Sequence, residues 1–89
     1  MNTNLELLRK QINEVDKQLI QLVKKRMDVV RHVGIYKKQN DIPPLDVNQW
    51  KKVLQSVISL GTKKGLSEKL IVEIYEAIHQ EALSIEQKI

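Results

Sequence analysis

Steps of three and four residues connect Leu5, Leu8, Ile12, Val15, Leu19, Leu22, Arg26, Val29, Val33 and Tyr36 into one stripe along the first part of the chain. This spacing is the helical period, and a seam that long predicts a single helix from about Asn4 to Lys38. Asn2 or Thr3 is suited to open it as N-cap, and the segment "QNDIPP" closes it, because two prolines forbid continuation. A helix of about 35 residues is roughly 52 Å long. A compact globule of this size has a radius of gyration of only about 12 Å, hence a diameter near 30 Å. The helix must project beyond its own chain, and an apolar seam along nearly its whole length calls for cover. A second copy provides it, so a homodimer in which the long helices pack together is expected.

Two further helices complete an all-α reading, since no period-two alternation is long enough for a strand. The second begins at Asp46 and runs to about Lys63, with Val47, Trp50, Leu54 and Val57 along one face and Gly65 placed for a left-handed C-cap. The third is capped by Ser67 and carries Ile71, Ile74, Ile78, Ala82, Ile85 and Ile89. With 89 residues and no linker long enough to separate domains, residues 1–89 are expected to form one domain. No cysteine is present, so neither disulfides nor thiolate metal sites can enlarge the small core. Oligomerisation is the remaining route.

Composition narrows the function. The first twenty residues contain Glu6, Arg9, Lys10, Glu14, Asp16 and Lys17, so they hold no continuous apolar run of the kind a signal peptide or membrane span needs, and a soluble cytoplasmic protein is expected. A formal charge of +4 favours acidic partners, either small anions or nucleic acid. Nucleic acid is the weaker choice. Trp50, Tyr36 and Tyr75 are the only aromatics, and no cationic cluster exceeds three residues.

Arg26 is the one break in the seam. A polar seam residue can fix register, and an arginine can extend its head out of a seam. Lys37, however, lies eleven residues on, which returns within about 20° of the same direction some 16 Å along the axis. Two long cations on one face can hold opposite sides of a small anion. Arg9 is turned about 100° away from Arg26 and is either a solvated charge beside Leu8 or, in a dimer with antiparallel long helices, the partner's contribution to a tri-cationic site. His32 and His79 lack the spacing or partners of a metal or catalytic site and are expected to be surface or helix-packing residues.

The segments "LLRKQINEVDKQLIQLVKKR" and "GIYKKQNDIPPLD", with "IYEAIHQEAL" in the third helix, resemble the all-helical AroQ-class chorismate mutases over about Leu5 to Glu86. The resemblance implies an intertwined three-helix homodimer and a Claisen rearrangement of chorismate to prephenate, with no metal, nucleophile or redox cofactor. It further implies that Arg26, with Arg9 from the partner chain, grips the substrate's carboxylates through fork-shaped donors. Lys37 would stabilise negative charge growing on the ether oxygen. Glu86 stands where the family usually has a glutamine that donates to that oxygen, and only a protonated carboxyl can donate. Asp46, Gln49, Trp50 and Ala82 complete the implied substrate-contacting set.

The second helix departs from the family, which has Arg and Glu where this chain has Gln49 and Trp50. Asp46 and Gln49 are explained first as a capping box. Trp50 can only donate where the family's Glu accepts from the substrate hydroxyl, and it is expected to pack against the first helix. Two other readings share these residues: an enzyme that eliminates pyruvate from isochorismate on the same fold, and a catalytically weak helical dimer serving as regulatory partner of an aromatic-pathway enzyme. The second conflicts with a cation retained at 26, where an apolar residue would make a more stable seam.

Overall fold

The chain folds into α1 (Thr3–Gln39), α2 (Val47–Lys63) and α3 (Glu68–Gln87). This structure, a computed structural model, describes residues 3–89, and of Thr3 only the backbone. The N-cap expected at Asn2 or Thr3 therefore lies outside the described residues. The other caps are formed by the residues the sequence singles out. Asp46 Oδ1 accepts from Gln49 N at 3.0 Å to open α2, and Ser67 Oγ accepts from Leu70 N at 3.1 Å to open α3. Each such cap contributes about 1 kcal/mol.

Both interior helix ends use the same device. At the end of α2, Gly65 has φ 88, Gly65 N bonds to Thr62 O at 3.0 Å, and Leu66 N bonds to Gly61 O at 3.0 Å. This is a Schellman motif with glycine in the left-handed position. At the end of α1 the same pair of bonds runs from Asp41 N to Lys38 O at 3.4 Å and from Ile42 N to Lys37 O at 2.8 Å. There the left-handed residue is Asp41, φ 56, one of the few side chains that tolerates the conformation. The Pro43–Pro44 pair follows at once and ends the helix.

Packing is organised around α3, which lies against both α1 and α2. Two glycines set the spacing. A Cβ on Gly61 would collide with the Ile71 side chain, so α2 approaches α3 at that point. A Cβ on Gly34 would lie 2.5 Å from Ile89 Cδ1 and 3.3 Å from the Glu86 backbone, so α1 approaches α3 there. The face of α1 turned inward carries Val23, Met27, Val30, Gly34 and Lys37, all buried or half-buried.

The seam itself is a different face. Its lower part, Leu5 to Leu22, is centred roughly 50° around α1 from the inward stripe, and Arg26 points in the direction of that lower part. Every residue from 4 to 22 is exposed; Leu8 keeps 54%, Ile12 59% and Leu22 63% of its surface accessible. Among the described residues only Ile71 and Ala82 are buried apolar side chains. The molecule measures 61 × 24 × 14 Å with a radius of gyration of 16.7 Å, well above the roughly 12 Å of a compact chain of this length. On the outer face of α1, Lys24 Nζ lies 2.8 Å from Asp28 Oδ2, and this hydrogen bond is the main reason that the Asp28 carboxyl is held below the usual carboxylate range. Both groups are exposed, so solvent screens the pair and it adds little to stability. No helix among the described residues is long and apolar enough to cross a membrane.

Candidate functional site

Where the three helices converge, they enclose a cleft of about 230 Å³. Its floor is α3, whose residues His79, Ala82 and Glu86 recur at helical spacing on one face. One wall is the last part of α1, with Arg26, Val30, Val33 and Lys37, and the opposite wall is the start of α2, with Asp46, Gln49, Trp50 and Val53. A wider groove of about 450 Å³ adjoins it across Lys37, Pro44 and Glu86. Of these two, only the smaller cleft is lined by Arg26, Trp50 and His79, and that is where the candidate chemistry gathers; Trp50 and His79 also border a separate groove of about 430 Å³ with Glu73, Glu76, Ala77 and Gln80.

Lys37 is the most constrained of the cations. It sits in the last turn of α1, and its Nζ donates to Pro44 O at 2.7 Å and lies 2.8 Å from Glu86 Oε1. The two side chains keep only 19% and 10% of their surface exposed. The contact with Glu86 is an ion pair by distance, but its angles fall outside hydrogen-bond geometry, so this oxygen keeps unused accepting capacity. The Schellman turn and the prolines bring the Pro44 carbonyl over the lysine, so the sequence that stops α1 also fixes its last cation.

Arg26 lies eleven residues earlier on α1, half-buried, with Cζ 5.9 Å from the centre of the Tyr75 ring on α3. That is within cation–π range and steadies the head of a long side chain while its planar donors remain available. Trp50 does not pack against α1 as expected. Its ring stacks on His79 of α3, with centroids 4.0 Å apart and planes 13° from parallel. The physical reason is that α2 lies along α3, so the apolar face of α2 meets α3 first.

The cleft thus brings together Arg26, Lys37, Asp46, Gln49, Trp50, Ala82 and Glu86 from the residues expected at a site. Arg9 is not among them; it is exposed, roughly 25 Å further up α1. Glu86, which could have been a solvated residue in a fraying turn, is instead the more buried member of an ion pair. His32 is exposed, whereas His79 is a helix-packing residue that also lines the cleft. Sequence reasoning missed that second role, although Tyr75, His79, Ala82 and Glu86 fall on one helical stripe. Among the described residues no group of three or more His, Asp or Glu side chains is arranged to hold a metal ion.

Residues 8–87 match the type II chorismate mutase family. The chain belongs to that family. It is 30% identical over 88 residues to a bifunctional chorismate mutase/prephenate dehydratase of Buchnera aphidicola subsp. Acyrthosiphon pisum, covering 99% of this chain and 23% of that protein. It is 31% identical over 84 residues to the T-protein of Haemophilus influenzae, covering 94% of this chain and 22% of that protein. The chain therefore spans less than a quarter of the length of these relatives. A relative of similar size, the 4-amino-4-deoxychorismate mutase of Streptomyces venezuelae, is 24% identical over 82 residues, covering 92% of this chain and 80% of that protein. For a type II chorismate mutase, the three-helix fold with a long first helix is the expected architecture.

Proposed function

We propose that this chain catalyses the rearrangement of chorismate to prephenate, by holding the dicarboxylate in a reactive shape and stabilising the charge that grows on its ether oxygen. The observation that carries the reading is the convergence of Arg26 and Lys37 in one cleft built from all three helices. The reaction breaks a C–O bond as a C–C bond forms within one molecule, so it needs orientation and electrostatics rather than a nucleophile. Arg26, braced over Tyr75, binds a carboxylate. Lys37 is the donor to the ether oxygen, held in place before substrate arrives by Pro44 O and Glu86, so little reorganisation is needed at the moment of reaction.

Glu86 has two consequences. Ionised, it orients Lys37 but opposes negative charge on the oxygen; protonated, it donates a second hydrogen bond there. Asp46, Gln49, Trp50 and Ala82 shape the rest of the cleft. The second carboxylate contact comes from Arg9 of a partner chain. The uncovered seam supports this assembly, because a second α1 laid along it would bury six or more apolar side chains, a gross gain on the order of 10 kcal/mol before the cost of association.

The test is to incubate the purified protein separately with chorismate and isochorismate and identify the products. Prephenate from chorismate is expected. Pyruvate with salicylate from isochorismate would replace this reading with the eliminating one, and no product from either would leave a helical partner protein.

A further inference from the structure

The cleft has an end that the cations do not explain. Apart from Arg26 and Lys37, its polar groups are Asp46, Gln49, Trp50, His79 and Glu86. Asp46 is exposed and its Oδ1 is engaged in capping α2. Glu86 is paired with Lys37. Gln49 is exposed, and fixing its flexible side chain on a ligand would lose rotamer entropy. Trp50 carries a donor and no acceptor. His79 differs from all of these. It is half-buried, its ring is held flat against Trp50, and none of the side-chain hydrogen bonds among the described residues engages its imidazole.

A neutral imidazole offers one donor and one acceptor in a fixed plane, the complement of an alcohol, which can give one hydrogen bond and take another. The chorismate ring carries such an alcohol, on the carbon next to the one that bears the ether oxygen, so its partner has to stand in the same cleft as Lys37, as His79 does. We infer that His79, locked against Trp50, is the hydrogen-bond partner of the substrate's ring hydroxyl and so sets the enzyme's preference for hydroxylated over deoxygenated substrate. This rests on the mutase reading proposed above. It assigns the stack two tasks: Trp50 supplies a rigid apolar backing that fixes the ring without competing for the hydroxyl's proton, and His79 supplies the polar edge.

The inference separates hydroxyl recognition from the general stability of the stack. His79→Phe keeps an aromatic face on Trp50 and removes both nitrogens, His79→Leu removes nitrogens and ring together, and His79→Asn restores a short donor–acceptor group without the ring. The measurement is kcat/KM for chorismate and for the analogue lacking the ring hydroxyl, with thermal unfolding recorded for each protein. Wild type should prefer chorismate. In His79→Phe, or in His79→Leu if only that variant folds, the preference should fall at least about tenfold, because a hydrogen-bonding site discriminates and an apolar one does not. His79→Asn should recover part of it. A folded Phe or Leu variant with the wild-type preference overturns the assignment to His79 while leaving the mutase reading intact. A wild-type protein that rearranges neither compound overturns the mutase reading, and the inference falls with it before any substitution is made.

Discussion

Two side chains decide most of the chemistry at the residue scale. Arg26→Ala should lower kcat/KM by about 3 kcal/mol of transition-state binding or more, roughly two orders of magnitude, since it removes a charged grip on a carboxylate. Its cation–π contact with Tyr75 is worth only about 0.5–1 kcal/mol at a half-exposed position, so stability should change by no more than that. Kinetics measured beside thermal unfolding checks both halves; wild-type turnover would make Arg26 a packing residue only. Glu86→Gln should raise kcat, by about tenfold or more, because an amide donates to the ether oxygen without opposing the charge that grows there. Turnover equal to the parent's in a folded variant would take Glu86 out of the mechanism. Arg26 and Lys37 could be paired from the sequence because helix periodicity is geometry: eleven residues return to the same face whatever surrounds them. His79 could not, because its meaning depends on Trp50 from another helix. The Trp50 expectation failed for the same reason: an apolar face shows that a residue packs, not which element it meets.

Two glycines with opposite expected consequences separate stability from activity at the scale of the elements. Gly61 sits far from the candidate site, where α2 meets Ile71, and Gly61→Ala should destabilise by about 1–3 kcal/mol through overpacking while the folded fraction keeps its kcat. Gly34 lies one turn before Lys37 and beneath Glu86. Gly34→Ala should push α1 from α3 and disturb the ion pair, so kcat should fall more than stability predicts. Comparing unfolding midpoints with kcat for the two variants distinguishes these outcomes. Asp41 offers the complementary change: Asp41→Gly relieves the left-handed strain and should stabilise by about 0.5–1 kcal/mol, read as a higher Tm. The helix ends at Asp46, Ser67 and Gly65 were legible because each carries a residue whose side chain, or lack of one, suits a cap. The Asp41 turn was not, because aspartate is common at many positions and advertises a left-handed conformation far less than glycine does.

For the whole molecule, the long seam and the remote Arg9 make the same demand. Val15→Arg, which places a charge in the middle of the uncovered stripe, should abolish self-association and cooperative unfolding together, because the chain alone buries too little to stay folded. Sedimentation and thermal unfolding at several protein concentrations test this, and the parent's Tm should rise with concentration. A compact, cooperatively folded Val15→Arg monomer would count against the assembly. Mixing inactive Arg9→Ala and Arg26→Ala chains should restore one intact site per mixed dimer; no recovery after confirmed subunit exchange would remove Arg9 from the partner's site. The uncovered stretch from residue 4 to 22 also bears on how such a chain reaches its final state. An isolated helix of that length is marginal in water, and nothing in its own chain waits to receive it. In the assembly proposed above, completing the fold is a collision problem. At the ordinary protein encounter rates of about 10⁵–10⁷ M⁻¹s⁻¹, a solution at about 100 nM would finish at roughly 0.01–1 s⁻¹, and doubling the concentration would halve the time.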